Sequence, residues 1–323
     1  MLFSGVFRVL AAVSIAMGLC STSGAVQAAP SVVVSINPLH SLVSALMKSV
    51  AAPVLLLPGS SSPHGWALRP SQARAIHQAD LIVWVGPALE QSLARSVTAS
   101  DNKGSQFSAL AVPGLTLHNR RGGAEHHHDR AEADKHDADE HHHDEHDTAS
   151  STDPHIWLDP RNAILIVTAL ADRLAQIDPG NRDTYADNAR KLLESIRLLA
   201  AEMRRDLAGV RGRKLVVYHD GFQYLERFVG LDESIVLTEE PELPRSVGQL
   251  SRLARKLGGA DGPTLRCLFT EPQFDGRMAR VLAQRYELTV EMIDLLGSQS
   301  GEGGYEAMMR GLTRSILGCG AAR

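Results

Sequence analysis

Short runs of aliphatic and β-branched residues alternate with helix-like stretches along most of this chain, beginning at Ser31. In the first half the runs predict strands at residues 32–36, 54–57 and 81–85. The stretches between them suit helices, with Pro38 and Pro70 at first-turn positions, where a missing N–H costs nothing. This alternation is typical of βαβ units and a mainly parallel sheet.

The second half repeats the pattern. Strands are expected at residues 214–218, 234–237, 266–269 and 288–293, separated by helical stretches such as 246–257 and 277–285. We therefore predict an α/β protein of two lobes, each with a mainly parallel sheet flanked by helices.

The segment between the two halves has the most regular helical pattern. Its apolar residues recur every three or four positions, which predicts one amphipathic helix over about residues 179–208, roughly 45 Å long. They are Tyr185, Ala189, Leu192, Ile196, Leu199, Met203 and Leu207. A rigid helix connecting the lobes would resist hinge motion. The periodicity fits equally well a long helix packed within one domain.

These patterns divide the chain into four parts. Residues 1–29 have the layout of a cleaved secretion signal, with Arg8, an apolar run at 9–19 and small residues at 25–29. Residues 30–178 form the N-terminal lobe, 179–209 the connecting helix and 210–323 the C-terminal lobe. The apolar run is shorter than the roughly 20 residues needed to cross a bilayer, so we expect a periplasmic protein with no transmembrane segment in its mature form. Cys20 raises the alternative of a lipid anchor, which Leu19 fits poorly.

Charge and cysteine content add two expectations. The net charge of −4 divides into −8 between Ala124 and Asp147 and +4 elsewhere, with no basic stripe that would suit nucleic acid. After signal removal only Cys267 and Cys319 remain. In an exported protein two such cysteines most simply form a disulfide, although two separate buried thiols are the alternative.

A histidine-rich acidic tract interrupts the lobe pattern at residues 119–152. With no large apolar residue in its central stretch, it is expected to be a disordered loop. Its histidines and carboxylates predict an auxiliary, low-affinity metal site, and a solvated linker is the alternative. The eight histidines are His126, His127, His128, His136, His141, His142, His143 and His146.

A tighter metal site requires ordered residues near strand ends, where α/β folds place ligands. His64 lies in the loop before the helix that starts at Pro70, His155 follows the tract, His219 ends the strand at 214–218, and Asp294 ends the strand at 288–293. Two of these four candidates come from each lobe.

Two aspartates and three histidines stand outside this set of four candidates. Asp159 and Asp220 are candidates to orient ligand imidazoles, or simply to cap the elements that follow. The other three are treated as structural or solvated: His40, His77 and His118.

Six stretches, in order and through nearly the whole mature chain, resemble the zinc-specific substrate-binding proteins of bacterial ABC importers. They are LLLPGSSSPHGWALRPSQ, ADLIVWVGPALE, DPHIWLDP, VVYHDGFQYLERFVG, FTEPQF and MIDLLG. The resemblance implies a non-enzymatic, monomeric zinc receptor that works with permease subunits.

The same resemblance implies that His64, His155 and His219 bind one Zn²⁺, with a carboxylate or water completing the shell. Asp294 corresponds to a ligand of manganese-preferring relatives, and the two cysteines to a family disulfide. Pro63 occupies a place where some zinc-binding members have Glu. The fourth ligand therefore stays open among Asp294, water and a tract histidine.

Other functions fit parts of the pattern. Three imidazoles and an oxygen suit tetrahedral Zn²⁺ better than Mn²⁺, which prefers more oxygen ligands, so a manganese or other divalent-metal receptor is the alternative within the class. A zinc hydrolase would also use three histidines, but the chain has neither HExxH nor GxSxG, and Glu271 is its best candidate base. A zinc buffer or surface adhesin is a third reading.

Overall fold

The structure is a computed structural model of the 323-residue chain, and it describes residues 28–57, 61–99, 106–121, 151–238, 257, 265–298 and 303–321. The expected secretion signal, apart from residues 28 and 29, lies outside these ranges. So do the eight tract histidines and all of the helix expected at 246–257 except Leu257.

The first half forms a four-stranded parallel sheet. Its strands are β1 (Val32–Val34), β2 (Val54–Leu55), β3 (Leu81–Trp84) and β4 (Gln106–Ser108), in the order β2-β1-β3-β4. The flanking helices are α1 (Asn37–Leu46), α2 (Pro70–Gln78) and α3 (Gln91–Ala99), and the first turns of α1 and α2 hold the expected prolines. β4 was not predicted, because Phe107 is its only large apolar residue.

Two helices follow the first sheet. These are α4 (Pro160–Ile177) and α5 (Arg182–Asp206), the latter of 25 residues or about 38 Å. Short 3₁₀ turns, Pro179–Asn181 and Leu207–Val210, extend α5 at both ends, so the predicted continuous helix changes hydrogen-bonding pattern at its termini.

The second half forms another four-stranded parallel sheet, in the order β6-β5-β7-β8. Its strands are β5 (Lys214–His219), β6 (Asp232–Thr238), β7 (Cys267–Thr270) and β8 (Thr289–Met292). The described helices of this half are α6 (Gln223–Val229), α7 (Arg277–Arg285) and α8 (Gly304–Ala321).

Helix α5 holds the two halves together. The apolar side chains that recur along it from Tyr185 to Met203 are buried, and the helix packs against α1 and α4 on one side of the molecule and α6 and α8 on the other. One apolar core therefore runs along α5 through both lobes. The fold-class prediction is confirmed, and the alternative of a helix packed within one domain is wrong.

A disulfide fixes α8 to the second sheet. Cys267 at the start of β7 is bonded to Cys319 near the end of α8, with the two Cα atoms 5.8 Å apart. The predicted pairing is confirmed, and the alternative of separate thiols is wrong. None of the helices in the described ranges is both long and apolar enough to span a membrane.

Candidate metal centre

Three histidine rings converge between the lobes at the carboxyl ends of the strands. His64 lies in the loop between β2 and α2, His155 immediately precedes the 3₁₀ turn Ile156–Leu158, and His219 is the last residue of β5. Their ring centroids are 4.9 to 5.4 Å apart. One ligand atom from each ring lies within 4.8 Å of the other two, so all three rings are close enough to share one ion.

Two of the rings are oriented by carboxylates. His155 Nδ1 lies 2.8 Å from Asp153 Oδ1, and His219 Nδ1 lies 3.1 Å from Glu271 Oε1. An ionised carboxylate only accepts hydrogen bonds, so each contact places the ring proton on Nδ1 and leaves the lone pair on Nε2. Gln273 Nε2 donates to the other oxygen of Glu271 over 2.7 Å and fixes that carboxylate in turn.

His64 is held differently. Its backbone N–H donates to Ser62 Oγ over 3.3 Å, and its Nε2 is buried with no hydrogen-bond partner among the described residues. A buried polar atom without a partner is costly, and a nitrogen facing two other imidazoles has the chemistry to ligate a cation. The donor set therefore fits a zinc-type ion.

Burial and neighbouring charge shift the pKa values of the three rings. Desolvation and the other two imidazoles hold the pKa of His64 well below its usual value. Burial also lowers the pKa of His155, although Asp153 opposes this shift. Burial has the largest single effect on His219 and acts in the same direction, but the charge and hydrogen bond of Glu271 together with the charges of Asp220 and Asp153 outweigh it and raise the pKa. His64 and His155 are thus neutral near pH 7, the form that binds metal.

The walls around the three rings are largely apolar. Pro63, Trp157, Leu295 and Leu296 line the cleft together with the histidines, Glu271 and Gln273. Trp157 Nε1 donates to Leu295 O over 2.9 Å, which ties this wall across the two lobes. Such a lining excludes water and strengthens electrostatic interactions inside the site.

Asp294, predicted as a possible ligand, is engaged within its own turn. Asp294 accepts hydrogen bonds from Leu296 N (3.1 Å) and Ser298 Oγ (2.7 Å), and it is not part of the group of ligand atoms. Its side chain stabilises the turn after β8, which accounts for an acidic residue there.

Among the described contacts, Asp159 and Asp220 pair with arginines rather than with the three rings. Asp159 is the N-cap of α4, where it accepts from Arg161 N over 2.8 Å and forms a hydrogen-bonded ion pair with that side chain. Asp220 forms an ion pair with Arg121 at 2.9 Å. The orienting carboxylates are Asp153 and Glu271, which sequence reasoning did not assign.

Two signals could have identified those carboxylates. Asp153 lies two residues before His155, close enough for a local side-chain contact. Glu271 follows β7, which is hydrogen-bonded to β5, so its side chain emerges beside His219. The second signal requires the strand order, which the sequence pattern alone does not provide.

The structure describes both ends of the predicted loop at 119–152. Asn119 and Thr152 form an antiparallel bridge, Arg120 N donates to Ser151 O over 2.7 Å, and Asp153 N donates to His118 O over 2.8 Å. These ends are ordered, contrary to the expectation of disorder over the whole range. We call residues 118–121 and 151–153 the stem.

The other three histidines have separate contacts, and His118 Nε2, like His64 Nε2, is buried with no hydrogen-bond partner among the described residues. His40 in α1 has Nε2 at 3.1 Å from Pro53 O, His77 lies in the last turn of α2, and the ring of His118 packs 4.8 Å from that of Tyr224. None of the three belongs to the ligand-atom group.

Two α/β lobes on a long helix, with three imidazoles converging between them, define a two-lobed metal-binding protein. A family model described as "Zinc-uptake complex component A periplasmic" (ZnuA) matches residues 32–319, and the chain belongs to this family.

Two relatives are named as zinc uptake proteins. The chain is 32% identical over 321 residues to the high-affinity zinc uptake system protein ZnuA of Brucella abortus, covering 94% of this chain and 95% of the relative. The corresponding protein of Yersinia pestis is 32% identical over 279 residues, covering 84% of each chain.

Among solved structures, a ZnuA crystal structure has a TM-score of 0.71 at 23% identity, covering 91% of this chain and 100% of its own. A manganese complex of the binding protein FpvC from Pseudomonas aeruginosa has a TM-score of 0.70 at 20% identity, covering 90% and 99%. At these identities the likeness concerns the fold, and the fold alone does not specify the metal.

Proposed function

We propose that this protein is a receptor that captures Zn²⁺ in the periplasm and delivers it to the permease subunits of an ABC importer. The observation that carries the proposal is the convergence of His64, His155 and His219, with ligand atoms within 4.8 Å of one another. Membership of the zinc-uptake family and the names of its relatives support the same function.

The proposed coordination uses one nitrogen from each of the three histidines. A water completes the tetrahedron, because Asp294 is engaged in its own turn and Glu271 is held by His219 and Gln273. Three neutral nitrogens favour Zn²⁺ over Mn²⁺, since Mn²⁺ prefers oxygen-rich shells of higher coordination number.

The site is proposed to bind zinc without catalysis. A hydrolytic zinc site needs a base free to activate the bound water, and the best candidate, Glu271, has one oxygen on His219 and the other on Gln273. The relatives are likewise named as uptake proteins.

Two further segments of the chain have roles in export and in weak zinc binding. Residues 1–29 act as the secretion signal, and the tract histidines, His126 to His146, form a low-affinity site that gathers zinc near the cleft. Deleting residues 125–147 is expected to lower the zinc stoichiometry and to leave one tight site. Loss of that tight site would show that the tract supplies a primary ligand.

The central test is metal analysis with calorimetry on the full chain and on His64→Ala, His155→Ala and His219→Ala. Each ligand variant should bind zinc at least about 100-fold more weakly at the tight site, because a structural zinc site of four ligands is worth roughly 10–16 kcal/mol. His40→Ala is the matched control and should bind as the unaltered chain does. Unchanged affinity in any one ligand variant would remove that histidine from the site.

The importer role needs a separate test in cells. A strain that lacks this protein should grow poorly when zinc is scarce and recover when excess zinc is added. A strain complemented with His219→Ala should behave like the deletion. Normal zinc uptake in both strains would favour a zinc buffer over a transport receptor.

A further inference from the structure

Asp153 connects a candidate ligand to the opposite lobe. Its Oδ1 accepts from His155 N at 3.0 Å and lies 2.8 Å from His155 Nδ1, whereas its Oδ2 accepts from Gln223 Nε2 at 3.0 Å. Its backbone O also accepts from Tyr224 Oη at 2.8 Å. Gln223 and Tyr224 begin α6, which follows β5 and therefore His219 in the chain.

The amide of Gln223 has one available orientation. It is 3% exposed, and its Nε2 donates to Asn119 O at 2.9 Å as well as to Asp153. Its Oε1 accepts from Arg227 Nη2 at 3.2 Å. A flipped amide would place Oε1 against two acceptors, Asn119 O and Asp153 Oδ2, and Nε2 against the donor Arg227 Nη2, so only the observed orientation satisfies all three contacts.

We propose that Gln223 is a positioning residue, which through Asp153 fixes His155 relative to His219 across the two lobes. The inference rests on the proposed function, because it concerns the geometry of the same zinc site. His155 and His219 sit on different lobes, and a zinc site tolerates ligand distances only within about 0.2 Å. A hydrogen bond to a buried carboxylate is strong and directional enough to maintain such a geometry.

The burial of this connection supports a positioning role. Asp153 is 2% exposed. Its two oxygens accept from His155 N and from Gln223 Nε2 at once, so neither faces an empty space. His64 has no corresponding carboxylate contact among the described residues, so the connection concerns two of the three rings.

The test uses the full chain with Gln223→Met, which keeps the size of the side chain and removes its hydrogen bonds. Zinc affinity of the tight site is measured by competition with a chelator. We expect a loss of about tenfold, as is common for residues that orient metal ligands. Asn188→Ala is the control, because it also removes two hydrogen bonds between elements, to Leu46 O and Lys48 O, away from the cleft. This control should stay within about twofold of the unaltered chain.

A double-mutant cycle separates positioning from general weakening. Asp153→Ala removes both carboxylate oxygens and so the contact with Gln223, and adding Gln223→Met should therefore cost nothing further in affinity. In the metal-free protein, ¹⁵N NMR should show that His155 loses its preference for the Nδ1–H tautomer in Gln223→Met.

Each outcome has a distinct meaning. Wild-type affinity in Gln223→Met, or losses that add in the double variant, would overturn the positioning role while leaving the receptor intact. A parent chain without one tight zinc would instead refute the proposed function.

Discussion

The disulfide between β7 and α8 leads to a quantitative prediction about stability. Cys267 and Cys319 are 52 residues apart in sequence, and the bond closes that loop in the unfolded chain. Loop-closure entropy for about 50 residues corresponds to about 4 kcal/mol at 25 °C. Because the bond joins the last helix to the strand that precedes Glu271, its loss should weaken the second lobe without removing a ligand.

The assay is urea unfolding of the oxidised chain and of the same chain after reduction and refolding in strong reductant. Both chains have the same sequence and differ in the covalent bond, so no side chain is truncated. The reduced chain should lose about 4 kcal/mol of unfolding free energy. Its denaturant slope should increase, because the unfolded state becomes less compact. The double variant Cys267→Ala with Cys319→Ala should lose at least as much, since both side chains are buried.

Two results would refute this reasoning. A loss below about 1 kcal/mol would mean that the closed loop does not restrict the unfolded chain as the entropy argument requires. A loss of tight zinc binding in the reduced, folded chain would mean that the disulfide maintains the metal site, which the ligand geometry does not suggest.

Three further predictions concern the site and its support. Glu271→Gln should bind zinc about tenfold more weakly by calorimetry, because His219 loses its carboxylate partner, whereas Glu202→Gln on the surface should not differ from the parent chain. Free zinc at 100 times its dissociation constant should raise the unfolding free energy by about 2.7 kcal/mol, with no such shift in His219→Ala. Burial raises the pKa of Glu90 from 4.5 to about 7 despite donors from Ser35 and two backbone N–H groups. The folded state binds this proton more tightly than the unfolded state, so its contribution to the unfolding free energy is fully present below pH 4.5 and is lost as the pH rises through about 7. Glu90→Gln should therefore remove about 3 kcal/mol of pH dependence in urea unfolding, and an unchanged profile would contradict the shift.

Much of the fold could be predicted because the central strands of both sheets are buried on both faces, whereas the edge strands are partly exposed. A run such as Leu81–Trp84 is apolar at every position, and the matching runs in both halves predict two parallel sheets. The 3₁₀ turns at the ends of α5 could not be predicted, because apolar spacing does not distinguish i+3 from i+4 hydrogen bonding. The short strand β4 depends on pairing with β3 rather than on its own composition.

Part of the candidate site could be predicted from sequence and part could not. His64, His155 and His219 were identified because each lies at or near a strand end or beside the tract, and the structure brings them together. Asp153 and Glu271 were not assigned, since their roles depend on distances between side chains. Asp159 and Asp220 were attractive because each lies near a histidine in sequence, but their nearest cations are Arg161 and Arg121. Proximity in sequence alone therefore does not decide which carboxylate faces a ring, since Asp153 contacts His155 whereas Asp159 and Asp220 pair with arginines.

The stem allows the segment that it closes to vary in length. Because Arg120 N is hydrogen-bonded to Ser151 O, the segment between these two residues begins and ends at neighbouring positions on the N-terminal lobe. Closing a longer or shorter insertion at such a point costs only about 0.6 kcal/mol per doubling of length. Insertions of very different size and composition can thus be exchanged there, including a fluorescent or affinity module, without moving the residues on either side.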